Sequence, residues 1–445
     1  MQNLLTDKAL PPKVLTNFKK FDKDGEHHVS DISLKDNLII RGDNLSALHS
    51  LKKVYKEKIK LIYIDPPYNT GSNSYEYNDS FDHSTWLTLM QNRLEAVKEL
   101  LKDDGAIFIQ IDYKELAYLT ILLNQIFGRE NFIQLISVKT ASPAGFKTVN
   151  PGPIDVTEYI LFYTKDRTKF NFKKAYVPTS YDDNYDQVIT NKDSDPVNWV
   201  LESLRDIVCK ENGIKIGKTW QETNKNSKEK WGPYWKIIRK QLMGVYALNN
   251  ADKVISIRDP HKPTDKLKRL LEQSKVERDK FFLYEKNNGN TVNDGETNTK
   301  YVYVINGGAL SFYSNKVKNI DGNLTPTELL TDFWHDISWD GIAKEGGVKL
   351  KNGKKPEKLI KRIIEIATDT KDDIVLDFFL GSGTTCAVAH KMGIKYIGIE
   401  QLDYGDNDSV IRLKNVINGD TTGISKAVGW QDGGSFIYCE LEKIV

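Results

Sequence analysis

The chain has 445 residues and is poor in several things. It holds three cysteines, Cys209, Cys386 and Cys439, far apart and with no CxxC pair. That excludes a disulfide framework and a cysteine-based zinc site, and makes a reducing, cytoplasmic setting the expectation. Seven histidines are scattered without an HExxH pair, so no metal is expected. No apolar run approaches the ~18 residues of a membrane span. The start, MQNLLTDKALPPKVL, has no basic region leading into an apolar one, so neither a membrane segment nor a secretory signal is expected. Charge of one sign is lacking too. Lys+Arg number 63 against 61 Asp+Glu, a net of +2, which argues against a chain held to nucleic acid by bulk charge. The balance is uneven along the chain, however. Residues 210–275 hold 16 Lys/Arg against 7 Asp/Glu, a net of +9, so the remainder carries −7.

What is present is an alternation of strands and helices, broken once. Residues 1–34 are polar, with Pro11-Pro12 and a charged stretch at 19–28, and read as an irregular arm. NLIIRGDNL is a short strand running into a turn and then a helix. KLIYIDPPY is an apolar strand stopped by two prolines. Residues 86–101 carry apolar positions at helical spacing and end in a turn at Asp103-Asp104-Gly105. GAIFIQID is a strand, LAYLTILLNQIF a helix, and ENFIQLISVK and EYILFYTK two more strands. The regularity stops near Arg167 and returns near Pro356, where EKLIKRIIEIA predicts a helix and DIVLDFFLGSGTTCAVAHKMGIKYIGIE predicts strand, glycine turn, helix, strand. Between them, 288–299 is polar and reads as an exposed, flexible loop. The pattern predicts one wound α/β domain in two pieces, 35–166 and 331–445, interrupted by an insert at 167–330.

Two motifs carry chemistry. Asp377, Phe379, Gly381, Gly383 and Thr384 lie in DFFLGSGTT, between a strand and a helix. Glycines there let a ligand approach the backbone, and a helix N-terminus offers free N–H groups. Glu400 ends the next strand, where an acid can accept from both hydroxyls of a ribose. The unit reads as a nucleoside-cofactor site, with a plain tight turn as the alternative. Asp65-Pro66-Pro67-Tyr68 stands at the end of KLIYI, and wound α/β folds bind ligands at the carboxyl ends of strands. Asp65 offers a carboxylate, Pro66 a carbonyl at fixed φ, and Tyr68 an aromatic face. Together they can grip a planar base with an exocyclic amine. The alternative is a proline-stiffened turn. Asp43, in Gly42-Asp43-Asn44, can read an adenine amine or cap a helix, and on its own the cap is favoured.

On these residues the chain resembles the β-class amino-methyltransferases of DNA, in which the DPPY motif precedes a target-recognition insert and the FxGxG motif follows it. NLIIRGDNLSAL, DPPYNTGS, LLKDDGAIFIQID, EYILFYTK, NGKKPEKL and WQDGGSFIYCEL also resemble the modification subunits of type III restriction-modification systems. The resemblance implies a Rossmann-like sheet, S-adenosyl-L-methionine as cofactor, and methyl transfer to the N6 amine of adenine in double-stranded DNA. Serine in place of the first aspartate is more usual for cytosine N4. It implies that Phe379, Gly381 and Gly383 wrap the cofactor's methionine, with Lys355 and Pro356 near that end. Glu400 would bind its ribose, Asp43 its adenine, and residues 65–68 the target base. A homodimer and a restriction subunit are the partners it implies. A base in a duplex cannot reach such a pocket, so flipping is expected, with stacking on Tyr68. The insert is the expected DNA reader. KEKWGPYWKIIRK interleaves Trp231, Tyr234 and Trp235 with Lys228, Lys230, Lys236, Arg239 and Lys240, and basic groups neutralise phosphates while aromatics stack. A solvated basic helix is the plainer reading of the same run. A nicotinamide oxidoreductase would explain the glycine turn and Glu400 but leave residues 65–68 without a task. A DNA-binding protein without activity would not need both motifs.

Overall fold

The computed structural model describes residues 14–69, 81–142, 152–285, 301–320, 322–349 and 353–442. The loop expected at 288–299 lies outside them. The chain divides into two compact units, Met1–Ala175 with Leu330–Val445, and Tyr176–Leu329.

Among the described residues the first unit is an eleven-stranded sheet with helices on both faces. In chain order it comprises β1 (Leu15–Asp22), β2 (Gly25–His28), β3 (Leu38–Arg41), α1 (Asn44–Tyr55), β4 (Ile59–Ile64), α2 (His83–Lys98), β5 (Leu101–Ile111), α3 (Tyr113–Phe127), β6 (Phe132–Lys139) and β7 (Thr157–Thr164). After the second unit come β8 (Phe333–Trp334), α4 (Glu357–Ala367), β9 (Ile374–Asp377), α5 (Thr384–Lys391), β10 (Lys395–Glu400), α6 (Ser409–Ile417) and β11 (Phe436–Leu441). The spatial order is β8-β6-β7-β5-β4-β9-β10-β3-β11-β1-β2. The run from β5 to β11 is parallel throughout. Parallel strands covered on both faces read as continuous apolar runs, which is why IKLIYI and IVLD lack alternation. Their side chains still divide by period two. Ile62 and Ile64 face a core shared with α1, α2 and α3, while Leu61 and Tyr63 face one shared with α4, α5 and α6. Among the described residues no helix is long and apolar enough to cross a membrane.

Two expectations are corrected. Residues 15–28 are not an irregular arm: they form the β1–β2 hairpin, which extends the sheet beyond β11. A bulge between Thr16 and Lys19, with Asn17 at φ 55°, puts Leu15 and Phe18, three residues apart, against the same core. That bulge breaks the period of two by which the strand would have been read. The turn expected at residues 103–105 lies inside β5. There Ile59 faces Leu101 but Leu61 faces Ala106, so the extra residues bulge out of register. The buried Lys60 fills the bulge, donating to the Asp104 carbonyl at 2.9 Å and pairing with Asp104 and Asp369 at 2.8 and 2.7 Å.

The second unit has among its described residues a six-stranded and a three-stranded antiparallel sheet. Beside them is a helical hairpin, Trp220–Trp231 and Trp235–Asn249, joined by a short 3-10 turn at Gly232–Tyr234.

Candidate active site

The parallel strands β4, β9, β10 and β3 end at one edge of the sheet. There they bring Asp65, Asp377, Glu400 and Gly42-Asp43 together from positions more than 300 residues apart. Between them lies a cavity of about 370 Å³. Its wall includes Asp65, Pro67, Lys355, Asp377, Phe379, Gly381, Thr384 and Glu400 from the residues singled out in the sequence.

On one side is the turn after β9. Asp377 is buried; its carboxylate accepts from the Phe379 N–H at 3.0 Å and the Thr385 hydroxyl at 2.6 Å. Burial pushes its pKa up to about 7, against those two hydrogen bonds. Gly381 has φ +54°, and a Cβ there would meet nothing within 4 Å, so the backbone is bare where it faces the cavity. Gly383 differs. At φ +81°, its Cβ would stand 2.8 Å from Ser409 Cβ, and it is not in the wall. Its smallness serves the packing of α5 on α6. Thr384 opens α5 and accepts from Arg412 Nη1 at 2.7 Å. Glu400 is held by three backbone N–H groups, from Gly381 at 2.7 Å and from Gln401 and Leu402 at 2.9 Å each. Burial raises its pKa against those bonds, and the carboxylate keeps lone-pair capacity for a further donor.

On the other side is the segment after β4. Asp65 Oδ2 pairs with Lys355 Nζ at 2.9 Å, whereas Oδ1 is buried with no hydrogen-bond partner among the described residues. Burial raises the Asp65 pKa; the Lys355 charge opposes that and the Glu158 charge adds to it. The Pro67 carbonyl accepts from Trp86 Nε1 at 2.8 Å, but among the described residues no donor reaches the Pro66 carbonyl. The prolines lack N–H groups, so this stretch presents acceptors. Tyr68 donates to Glu158 Oε2 at 2.7 Å, and Lys355 lies 5.1 Å from its ring centroid.

Not every expected residue lines the cavity: Gly383, Pro66 and Tyr68 are outside its wall. Asp43 is not in the wall. It caps α1, accepting from the Ser46 N–H and hydroxyl at 2.9 and 2.7 Å. Its neighbours Asn44 and Arg93, bonded to each other at 2.5 Å, line the cavity instead. Pro356 caps α4 and is also outside the wall. Lys355 faces Asp65 and Glu158, at 2.9 and 3.6 Å. The sequence assigns no role to Asn44, Arg93 or Glu158, although Asn44 lies in NLIIRGDNLSAL and Glu158 opens EYILFYTK, an acid at the head of an otherwise apolar strand.

The basic aromatic run occupies the helical hairpin of the second unit. Lys228, Lys230, Tyr234, Lys236 and Lys240 are exposed; Trp231, Trp235 and Arg239 are half-buried. Arg239 and Lys236 lie 4.8 and 5.5 Å from the Trp235 ring centroid. Arg239 donates to Asn224 at 2.7 Å and Lys240 pairs with Asp183 at 2.7 Å.

Comparison with known proteins bears on this geometry. A sequence profile described as DNA methylase matches residues 59–404. The probable type III restriction-modification enzyme HindVI Mod subunit of Haemophilus influenzae is 39% identical over 98% of this chain and 58% of its own length. The EcoPI Mod subunit of Escherichia phage P1 is 28% identical over 91% of this chain and 62% of its own. The chain thus spans about three fifths of the length of these relatives. With the profile covering both chemical motifs and the sheet between them, the chain belongs to the DNA methylase family.

Proposed function

We propose that the chain transfers a methyl group from S-adenosyl-L-methionine to the N6 amine of an adenine flipped out of double-stranded DNA. The observation that carries this reading is Asp65 in the cavity wall, its Oδ1 without a hydrogen-bond partner, followed in the chain by the Pro66 carbonyl, which no described donor reaches. An amino group on a base has two N–H donors, and two acceptors match it. The cofactor fits the wall: Gly381 is bare, Glu400 retains acceptor capacity for ribose hydroxyls, and Phe379 gives an apolar surface. When bound, S-adenosyl-L-methionine supplies an electrophilic methyl group on a sulfonium.

The chain's own part is positioning. The amine lone pair is delocalised into the ring, so the nitrogen is a poor nucleophile. Acceptors on both N–H groups favour a tetrahedral nitrogen with its lone pair turned outward, and placing it in line accounts for much of the acceleration. Tyr68, its hydroxyl fixed on Glu158, offers its ring for stacking. The nitrogen gains a bond and becomes cationic; it then loses one proton, for which Asp65 is the nearest carboxylate acceptor.

The Mod relatives support a role in restriction-modification with a restriction subunit as partner; a homodimer and a cytoplasmic setting are further parts of the proposal. In this reading the cofactor is held by Asp377, Phe379, Gly381, Thr384 and Glu400. Unit 2 then reads the DNA, through the exposed lysines and Tyr234 of its hairpin. The test is Asp65→Ala. It should bind S-adenosyl-L-methionine by calorimetry with unchanged affinity and fail to move labelled methyl groups to DNA. Near-wild-type transfer would refute the assignment.

A further inference from the structure

Asp65 does not stand alone. Strand β7 runs antiparallel to β5, so its amino end meets the carboxyl edge of the parallel strands. That places Glu158, near the start of β7, beside the acceptor segment after β4. One oxygen of Glu158 gathers three donors: the Tyr68 hydroxyl at 2.7 Å, Gln110 Nε2 at 2.5 Å and, more loosely, Lys355 at 3.6 Å. Gln110 in turn accepts from the Tyr63 hydroxyl at 2.7 Å. Lys355 sits between two carboxylates, 2.9 Å from Asp65 Oδ2. Its side chain is 7% exposed, so its charge is poorly screened.

We propose that Glu158 is a positioning residue for methyl transfer, holding the Tyr68 ring and, through the shared Lys355, fixing which Asp65 oxygen is paired and which is left without a partner. The proposal rests on the methyltransferase reading above. Without Glu158, Tyr68 loses the acceptor 2.7 Å from its hydroxyl, and Lys355 loses one of the two carboxylates it lies between. The charge matters as well as the hydrogen bonds. The groups facing Asp65 are Lys355, Glu158, Tyr68, Tyr63 and, from β9, Asp377. Of these Lys355 favours ionised Asp65, and Glu158 opposes it. Removing the Glu158 charge therefore lets Asp65 stay ionised to lower pH.

The experiment compares wild type, Glu158→Gln and Glu158→Ala. Single-turnover methyl transfer to unmethylated DNA is followed against pH, and S-adenosyl-L-methionine affinity is measured separately by calorimetry. Glutamine keeps an acceptor for Tyr68 and Gln110 but not the charge. Expected are a fall of about 10- to 100-fold in rate for Glu158→Ala with cofactor affinity within about twofold. For Glu158→Gln, most of the neutral-pH rate should return, with the acidic limb moved to lower pH than in wild type. A limb that coincides with wild type, or full activity in Glu158→Ala, overturns the proposal. Should Glu158→Ala not fold, the position of the Glu158→Gln limb alone decides. A wild-type chain that methylates no DNA instead defeats the methyltransferase reading itself.

Discussion

Glu357→Gln should destabilise the chain strongly. Glu357 opens α4, and its carboxylate accepts from Arg412 Nη2 at 2.8 Å, Lys391 Nζ at 2.8 Å and the Ile424 N–H at 3.0 Å. Lys391 also pairs with Asp420 at 2.6 Å. The side chains of Glu357, Lys391 and Arg412 are 0% exposed and that of Asp420 is 7% exposed. The four charges cancel, so the cluster is tolerable without water. Glutamine keeps the shape and leaves a net buried cation. Breaking a buried, hydrogen-bonded pair on one side costs about 3–5 kcal/mol. In a unit this large that corresponds to a melting-point fall on the order of 10 °C. The effect should reach the cavity, because Arg412 also holds Thr384 at the start of α5. Thermal unfolding followed by circular dichroism, with and without S-adenosyl-L-methionine, measures both. The control is Asp372→Asn, whose pair with Lys395 has the aspartate 89% exposed and should leave the melting point unmoved. A Glu357→Gln shift no larger than the control's would refute the reasoning.

Four further outcomes are expected. Gly381→Ala should weaken cofactor binding with a stability cost of about 1–2 kcal/mol for its left-handed backbone. Gly383→Ala, colliding with Ser409, should lower the melting point more than it lowers the affinity. Calorimetry and melting curves separate the two. For Asp377 the folded pKa of about 7 exceeds its unfolded value near 3.9, so the folded chain binds a proton that the unfolded chain has released. Its contribution to stability therefore declines as pH rises through that window. Urea midpoints at pH 5 to 8 should fall relative to Asp377→Asn as pH rises, and parallel curves would count against it. Replacing Lys228, Lys230 and Lys236 by alanine should weaken DNA binding and reduce the salt slope of log K by about 1 for each phosphate no longer neutralised. An unchanged slope would leave the hairpin a solvated surface.

Much of the catalytic fold was legible because its signals are local. EKLIKRIIEIA is α4 from end to end, and IVLD followed by a glycine turn is β9. Both chemical motifs sit at strand ends, and wound sheets gather strand ends. What the sequence hid is of two kinds. One is irregularity: a single bulge in β1 and a larger one in β5 disguised a strand as an arm and a strand interior as a turn. The other is partnership across the fold. Nothing near Lys355 in sequence announces Asp65, and Glu357, Lys391, Arg412 and Asp420 come from separate segments. Asp43 shows the reverse case: a residue with a plausible ligand role is occupied by a local task, the capping of α1.

The central claim is tested most directly by sequencing modified bases in DNA from cells expressing this chain and, in parallel, its Asp65→Ala variant. The account predicts N6-methyladenine at one recurring sequence with the wild type and none with the variant. N4-methylcytosine, or unmodified DNA from cells that hold the folded wild-type chain, would contradict it.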